Sequence, residues 1–154
     1  MKKLCSLLLV AVLLCSLAAC GGGTKQADLS KVMKDMKAKI TNTEMMELSA
    51  EDLMASYGID SKDAKQFAAY VDSTGIKGDE IVFFEGKDAD AAKRIKEKLD
   101  ARYSQKVVEM KDYLPEEYAV LKKCKVNQDG NYISMIVSPQ YQELTKIYDE
   151  AVKK

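Results

Sequence analysis

Leu29, Val32, Met33, Met36 and Ile40 recur at intervals of three and four between charged residues, which predicts an amphipathic helix over residues 28–40. After a turn at TNTE, Ser49 with Asp52 three residues on reads as the start of a short helix that ends at Tyr57. Gly58 and Ile59 explain that end, since glycine after the last turn takes the left-handed conformation and the next apolar residue folds back on Leu53 or Met54. QFAAYVDS alternates in the manner of a half-buried strand, and DEIVFFEG is apolar on both faces; STGIKG between them has the chemistry of a hairpin loop. From Asp88, a good N-cap, the positions Ala92, Ile95, Leu99, Tyr103, Val107 and Met110 continue one long helix. Pro115 then suits the first turn of a further short helix, PEEYAVL.

A second hairpin follows, with strand KKCKV, turn NQDGN and strand YISMIVS. Beyond Pro139 a final helix carries Tyr141, Leu144, Ile147, Tyr148 and Ala151 on its inner side. GDEIVFFEGKDADAAKRI and GNYISMIVSPQYQELTKI form a weak internal echo of a strand, strand, helix unit. Two such units predict an α+β fold: a four-stranded, mainly antiparallel sheet with its helices on one face, plus the N-terminal helices.

The first residues follow different rules. Lys2 and Lys3 precede an apolar run over residues 4–14, and small residues lead to Cys20 in the sequence LAAC, the layout of a signal peptide. The apolar stretch falls short of the ~20 residues that a bilayer core needs, and three glycines follow it rather than a basic cluster. LAAC resembles the lipobox of bacterial lipoproteins, in which the cysteine receives a diacylglyceryl group and the chain is cut before it. The alternatives are an ordinary signal peptide cut near Ala19 and an uncleaved anchor, and the lone cysteine after small residues favours the lipobox. The expected organisation is a signal peptide at 1–19, a flexible tether at 20–27 and one extracytoplasmic α+β domain at 28–154. The glycines make the tether a coil that keeps the domain within ~30 Å of the membrane.

Composition narrows the chemistry. The chain of 154 residues has 24 basic and 24 acidic residues, and without Lys2 and Lys3 the remainder is slightly acidic, so nothing suggests nucleic acid as a partner. Of its four cysteines, Cys5 and Cys15 leave with the signal and Cys20 is lipidated. Cys124 then stands alone, either as a reactive thiol or, as its alternation with Lys123 and Lys125 favours, as a core residue. No histidine is present, which removes the commonest general base and metal ligand. Asp79 with Glu80, and Glu85 with Asp88 and Asp90, are the carboxylates left for acid/base or calcium chemistry, although Asp88 and Asp90 suit a helix start for dipole reasons alone. Asn127, Asp129 and Asn131 look ligand-like, yet NQDGN lacks the length and terminal glutamate of a calcium loop. No catalytic site, metal site or cofactor is expected.

YGID, a strand, GDEIVFFEGKD, a long charged helix, YLPEEYAVLKK and GNYISMIVS, in that order, resemble an uncharacterised family of small lipoproteins from Gram-positive bacteria, catalogued as a domain of unknown function. The likeness spans about residues 48–152. It implies a lipid-anchored domain outside the cytoplasm with no catalytic residues to carry over. At Cys124 the family pattern would take a small apolar residue such as alanine, which again favours the core.

The functional lead is therefore a surface. With Phe67, Val71, Ile81, Phe83, Cys124, Val126, Ile133, Met135 and Val137 under the helices that follow the hairpins, Tyr70, Val82, Phe84, Tyr132 and Ile136 point the other way. Either the N-terminal helices, through Leu29, Met33, Met36 and Leu53, cover that second face, or it stays open as an aromatic docking face for an envelope protein, peptide or glycan. The expected function is a membrane-anchored, non-enzymatic binding or accessory module. A self-assembling envelope protein and, more remotely, a carboxylate-dependent hydrolase are the alternatives.

Overall fold

The computed structural model describes residues 26–153; the expected signal peptide and Cys20 lie outside them. In chain order the elements are α1 (Leu29–Lys37), β1 (Met45–Glu47), α2 (Ala50–Tyr57), a 3-10 turn (Ser61–Asp63), β2 (Ala64–Asp72), β3 (Glu80–Gly86), α3 (Ala89–Tyr113), α4 (Pro115–Leu121), β4 (Val126–Asp129), β5 (Tyr132–Val137) and α5 (Tyr141–Val152). The strands form one antiparallel sheet of five in the order β1-β2-β3-β5-β4.

The local signals act as their chemistry requires. Asp28 caps α1 through the amides of Ser30 and Lys31, and Ser49 and Asp52 form a reciprocal capping box on α2. Gly58 closes α2 at φ 63°, with Ile59 N–H donating to Leu53 O at 3.4 Å. Gly130, at φ 56°, is the first residue of a tight turn between β4 and β5.

The expected four-stranded sheet gains a fifth strand. Met45–Glu47 pairs with the end of β2, Met46 opposite Val71, and three residues are too few to show alternation. The second hairpin also sits further along the chain than KKCKV suggests. A turn after α4 takes up residues 122–124, with Cys124 N–H donating to Leu121 O at 2.9 Å, so that pairing starts at Val126.

A larger correction concerns the faces. All seven residues of β3 are buried, and a strand apolar on both sides does not reveal its own parity. Pairing decides it: Phe67 lies opposite Phe84 and Phe84 opposite Ile133, while Tyr70 lies opposite Ile81 and Ile81 opposite Ile136. Val82 and Phe84 therefore join Ile133, Met135 and Val137 in a core under α2, α3 and α4, which includes Leu53, Ile95, Leu99 and Leu121. Ile81 and Phe83 join Tyr132 and Ile136 in a second core under α1 and α5, with Leu29, Met33, Met36, Leu144 and Tyr148. The helices that follow the two hairpins lie on opposite faces, giving three layers. The internal echo thus reflects shared turn chemistry, since its matched Ile81 and Ile133 enter different cores.

Helix α3 is the long element. Its 25 residues span ~37 Å, against ~24 Å for the seven of β3. It begins beside Gly86, where a Cβ would sit 2.7 Å from Ala92 N and 2.8 Å from Ala92 Cα. From there it crosses the sheet and runs on to the β2–β3 loop, where Met110 packs against Gly78. Because the obstacle at Gly86 is backbone, Gly86→Ala is expected to destabilise the domain by about 1–3 kcal/mol. Urea unfolding checks this, with a lower midpoint at an unchanged slope.

Candidate functional site

Where α3 passes the Glu80 end of β3, three charged side chains meet under the helix. Glu80 is 2% exposed and Lys106 4% exposed. Arg102 donates from Nε to Glu80 Oε1 at 3.1 Å and from Nη2 to Oε2 at 2.9 Å, and Lys106 Nζ donates to Oε2 at 2.8 Å. The sequence brings them together simply: the outward alternation of β3 puts Glu80 on the α3 face, and Arg102 and Lys106 lie four apart on one side of the helix. Burial pushes the Glu80 carboxyl up, but Arg102 and Lys106 outweigh it and hold its pKa below the ordinary value. Burial, and then the Glu80 carboxylate, push the Tyr57 phenol well above its usual range, so it stays protonated.

These groups wall a cavity of about 270 Å³ between α3, the end of α2 and the β2–β3 loop, whose lining also includes Ser56, Lys77, Met110 and the acids Asp72, Asp79 and Glu109. A larger groove of about 400 Å³ runs between α1 and β2 past Met33, Leu48 and Phe67, but no buried polar side chain enters it. The smaller cavity is the one with chemistry in its wall.

Asp79, beside Glu80, also borders the cavity but makes no bond to Glu80 or its cations. Its Oδ2 accepts from Asn42 Nδ2 at 3.4 Å, its Oδ1 has no partner, and burial raises its pKa. Asp79 and Glu80 therefore do not converge as an acid/base pair. Glu85, at the opposite end of β3, accepts from Lys65 at 2.8 Å and from Gln66 at 2.6 Å. Asp88 caps α3 through the Ala91 amide at 2.7 Å, and Asp90 is exposed in the first turn. Asn127 and Asp129 belong to β4 and Asn131 to the turn. Among the described residues no group of three potential ligands is placed to hold a metal ion. Cys124 is buried, its thiol donates to Val120 O at 3.4 Å, and burial pushes its pKa up.

The proposed docking face is not one surface. Val82 and Phe84 are in one core and Tyr132 and Ile136 in the other, all buried, while Tyr70 is half-buried beneath α1 with Lys37 Nζ 4.4 Å from its ring. Both sheet faces are covered. Arg102, Lys106 and Tyr57 are the site residues that the sequence reading passed over. Their signal was present, since Lys106 falls seven residues after Leu99 and four before Met110 on the inner stripe, where the reading placed Val107, which is only half-buried.

Fold and cavity together define a small three-layer α+β domain with an ion-lined cavity at one end of its sheet. The chain belongs to the DUF4358 family, described as a domain of unknown function, whose model matches residues 26–138. No curated protein and no solved structure matches it. No helix among the described residues is long and apolar enough to cross a membrane.

Glu80→Gln leaves the buried Lys106 and the partly buried Arg102 without this counter-charge and should cost about 3–5 kcal/mol. Adding Lys106→Met should return part of that loss, as a double-mutant cycle by urea unfolding will read. Asp79 acts with the opposite sign. Its raised pKa gives stability that is present below the unfolded value and lost as pH rises through the folded one, so the carboxylate is a cost at neutral pH. Asp79→Asn should therefore stabilise the domain by about 1 kcal/mol at neutral pH and have little effect near about pH 4, measured as melting temperature against pH.

Proposed function

We propose that the protein is a lipid-anchored, extracytoplasmic binding or accessory module, exported by its first nineteen residues and held to the membrane through a diacylglyceryl group on Cys20. The observation that carries this is LAAC, a single cysteine directly after small residues at the end of an apolar run that follows Lys2 and Lys3. Two acyl chains suffice for stable attachment, at about 0.8 kcal/mol per buried methylene. The family match beginning at residue 26 supports a division between an N-terminal appendage and a folded unit.

The fold adds a direction. Ala27 is fastened at the Glu85 end of β3: its N–H donates to Tyr132 Oη at 3.0 Å, and Gln66 Nε2 donates to its carbonyl at 2.7 Å. The cavity lies at the Glu80 end of the same strand. A domain tethered at one end of its sheet presents the other end outward, toward soluble or wall-associated partners.

Labelling cells with a clickable fatty acid tests the anchor. Wild-type protein should carry the label in the membrane fraction, and Cys20→Ser should lose it. Equal labelling of both would overturn the assignment.

A further inference from the structure

We infer that the groove between α1 and β2 takes an extended peptide segment of another protein, which adds a strand to the sheet beside Phe67. β1 covers only part of the β2 edge. Asp72 N–H donates to Asp79 O at 2.9 Å, so by strand alternation Ala68, Tyr70 and Asp72 turn their backbone groups to β3, and Phe67, Ala69 and Val71 turn theirs to the other side. There Met46 lies opposite Val71, and Leu48 N–H donates to Ala69 O at 3.1 Å, after which the chain leaves for α2. Phe67 N–H and C=O and Ala69 N–H are left without a protein partner among the described residues. Phe67 is half-buried and β3 holds its strand in place. Unpaired N–H and C=O groups on an extended backbone are a template for another strand.

The gap is closed at both ends. Leu48 ends it at Ala69, and a bulge between Ala64 and Gln66 breaks the register on the other side. It therefore accepts only a short strand, of roughly four residues. The nine residues of β2 in a second copy would run into Leu48. β4 of a second copy is short enough, but Lys122, Lys123 and Lys125 lead into it and carry the same sign as Lys34 and Lys37 of the groove. Beside the edge, a volume of about 400 Å³ offers Met33, Leu48 and Phe67 to the side chains of the added strand. Of the three charged residues in its lining, Lys37 pairs with Glu47 and lies over the Tyr70 ring, and Lys34 has no ion-pair partner among the described residues. That exposed ammonium favours an acidic residue in the peptide, a preference of modest size. Backbone pairing supplies the affinity, and the groove selects the side chains.

A peptide partner gives content to the binding module proposed above, and it rests on that reading but not on the anchor. The probes are fluorescent peptides in which valine, isoleucine or tyrosine alternates with threonine and a glutamate stands at one end. They are titrated by anisotropy into the full-length protein in dodecyl maltoside at about 0.15 M ionic strength. At least one should saturate, and its fully N-methylated twin should bind about tenfold or more weakly, the scale of one or two backbone hydrogen bonds. Phe67→Pro removes the free amide, whereas Phe67→Ala truncates the same side chain and keeps it, so the proline variant should bind more weakly than the alanine variant. By hydrogen exchange of the wild-type protein, the Phe67 amide should exchange about tenfold or more faster than that of Ala68, and slow when the peptide is added. The Cys20→Ser protein should bind as wild type does, so fatty-acid labelling without peptide binding would sink this inference alone. It is overturned if no probe saturates, if N-methylation leaves binding unchanged or if the proline and alanine variants bind alike. Protection of the Phe67 amide that grows with protein concentration would also overturn it, by placing a second copy on the edge.

Discussion

Strand β3 can be stable only if both of its faces are kept from water. Its interior, Ile81 to Phe84, is apolar on both sides and fully buried, so the sheet needs a helical layer above and another below. The third layer follows from this one strand: α3 and its neighbours cover Val82 and Phe84, and α1 and α5 cover Ile81 and Phe83. The two acids that bracket the run fall on opposite faces and are neutralised differently. Glu85 meets Lys65 and Gln66 at a partly open edge, whereas Glu80 is enclosed with Arg102 and Lys106.

Those two ends divide the labour of the domain. At the Glu85 end, Gln66 links the strand to the segment that leads into α1 by bonding to both Ala27 and Leu29. At the Glu80 end, α3 overruns the sheet and leaves a cavity between its last turns, Tyr57 and the β2–β3 loop. Glu117, from α4, accepts the Gly78 amide at 2.8 Å and ties the loop down. The cavity is thus built by elements that the core already holds rigid, the condition under which a binding group keeps its geometry.

Much of this was legible in residues. Caps such as Ser49, Asp52 and Asp88, the stop at Gly58 and the helix after Pro115 follow from local chemistry, and local chemistry is written locally. The parity of β3 was not, because VFF is equally apolar on either face and only its neighbours' register decides between them. One slip there put Val82 and Phe84 on a supposed docking face with Tyr132 and Ile136. The site was missed for a related reason. Arg102 and Lys106 read as solvated charges on a long helix, and their meaning depends on Glu80, more than twenty residues earlier, arriving beneath them.

The buried Glu80 clamp is the element on which both the packing of α3 and the orientation of the cavity donors rest. Its most direct test is a pH titration of the Glu80 side-chain carboxyl by carbon-13 NMR, assigned by comparison with Glu80→Gln. Arg102 and Lys106 should keep this carboxylate ionised at pH values where an ordinary glutamate is protonated, so its resonance should stay fixed until acid unfolds the domain. A Glu80 that takes up its proton above the ordinary glutamate value while the fold is intact would contradict the clamp.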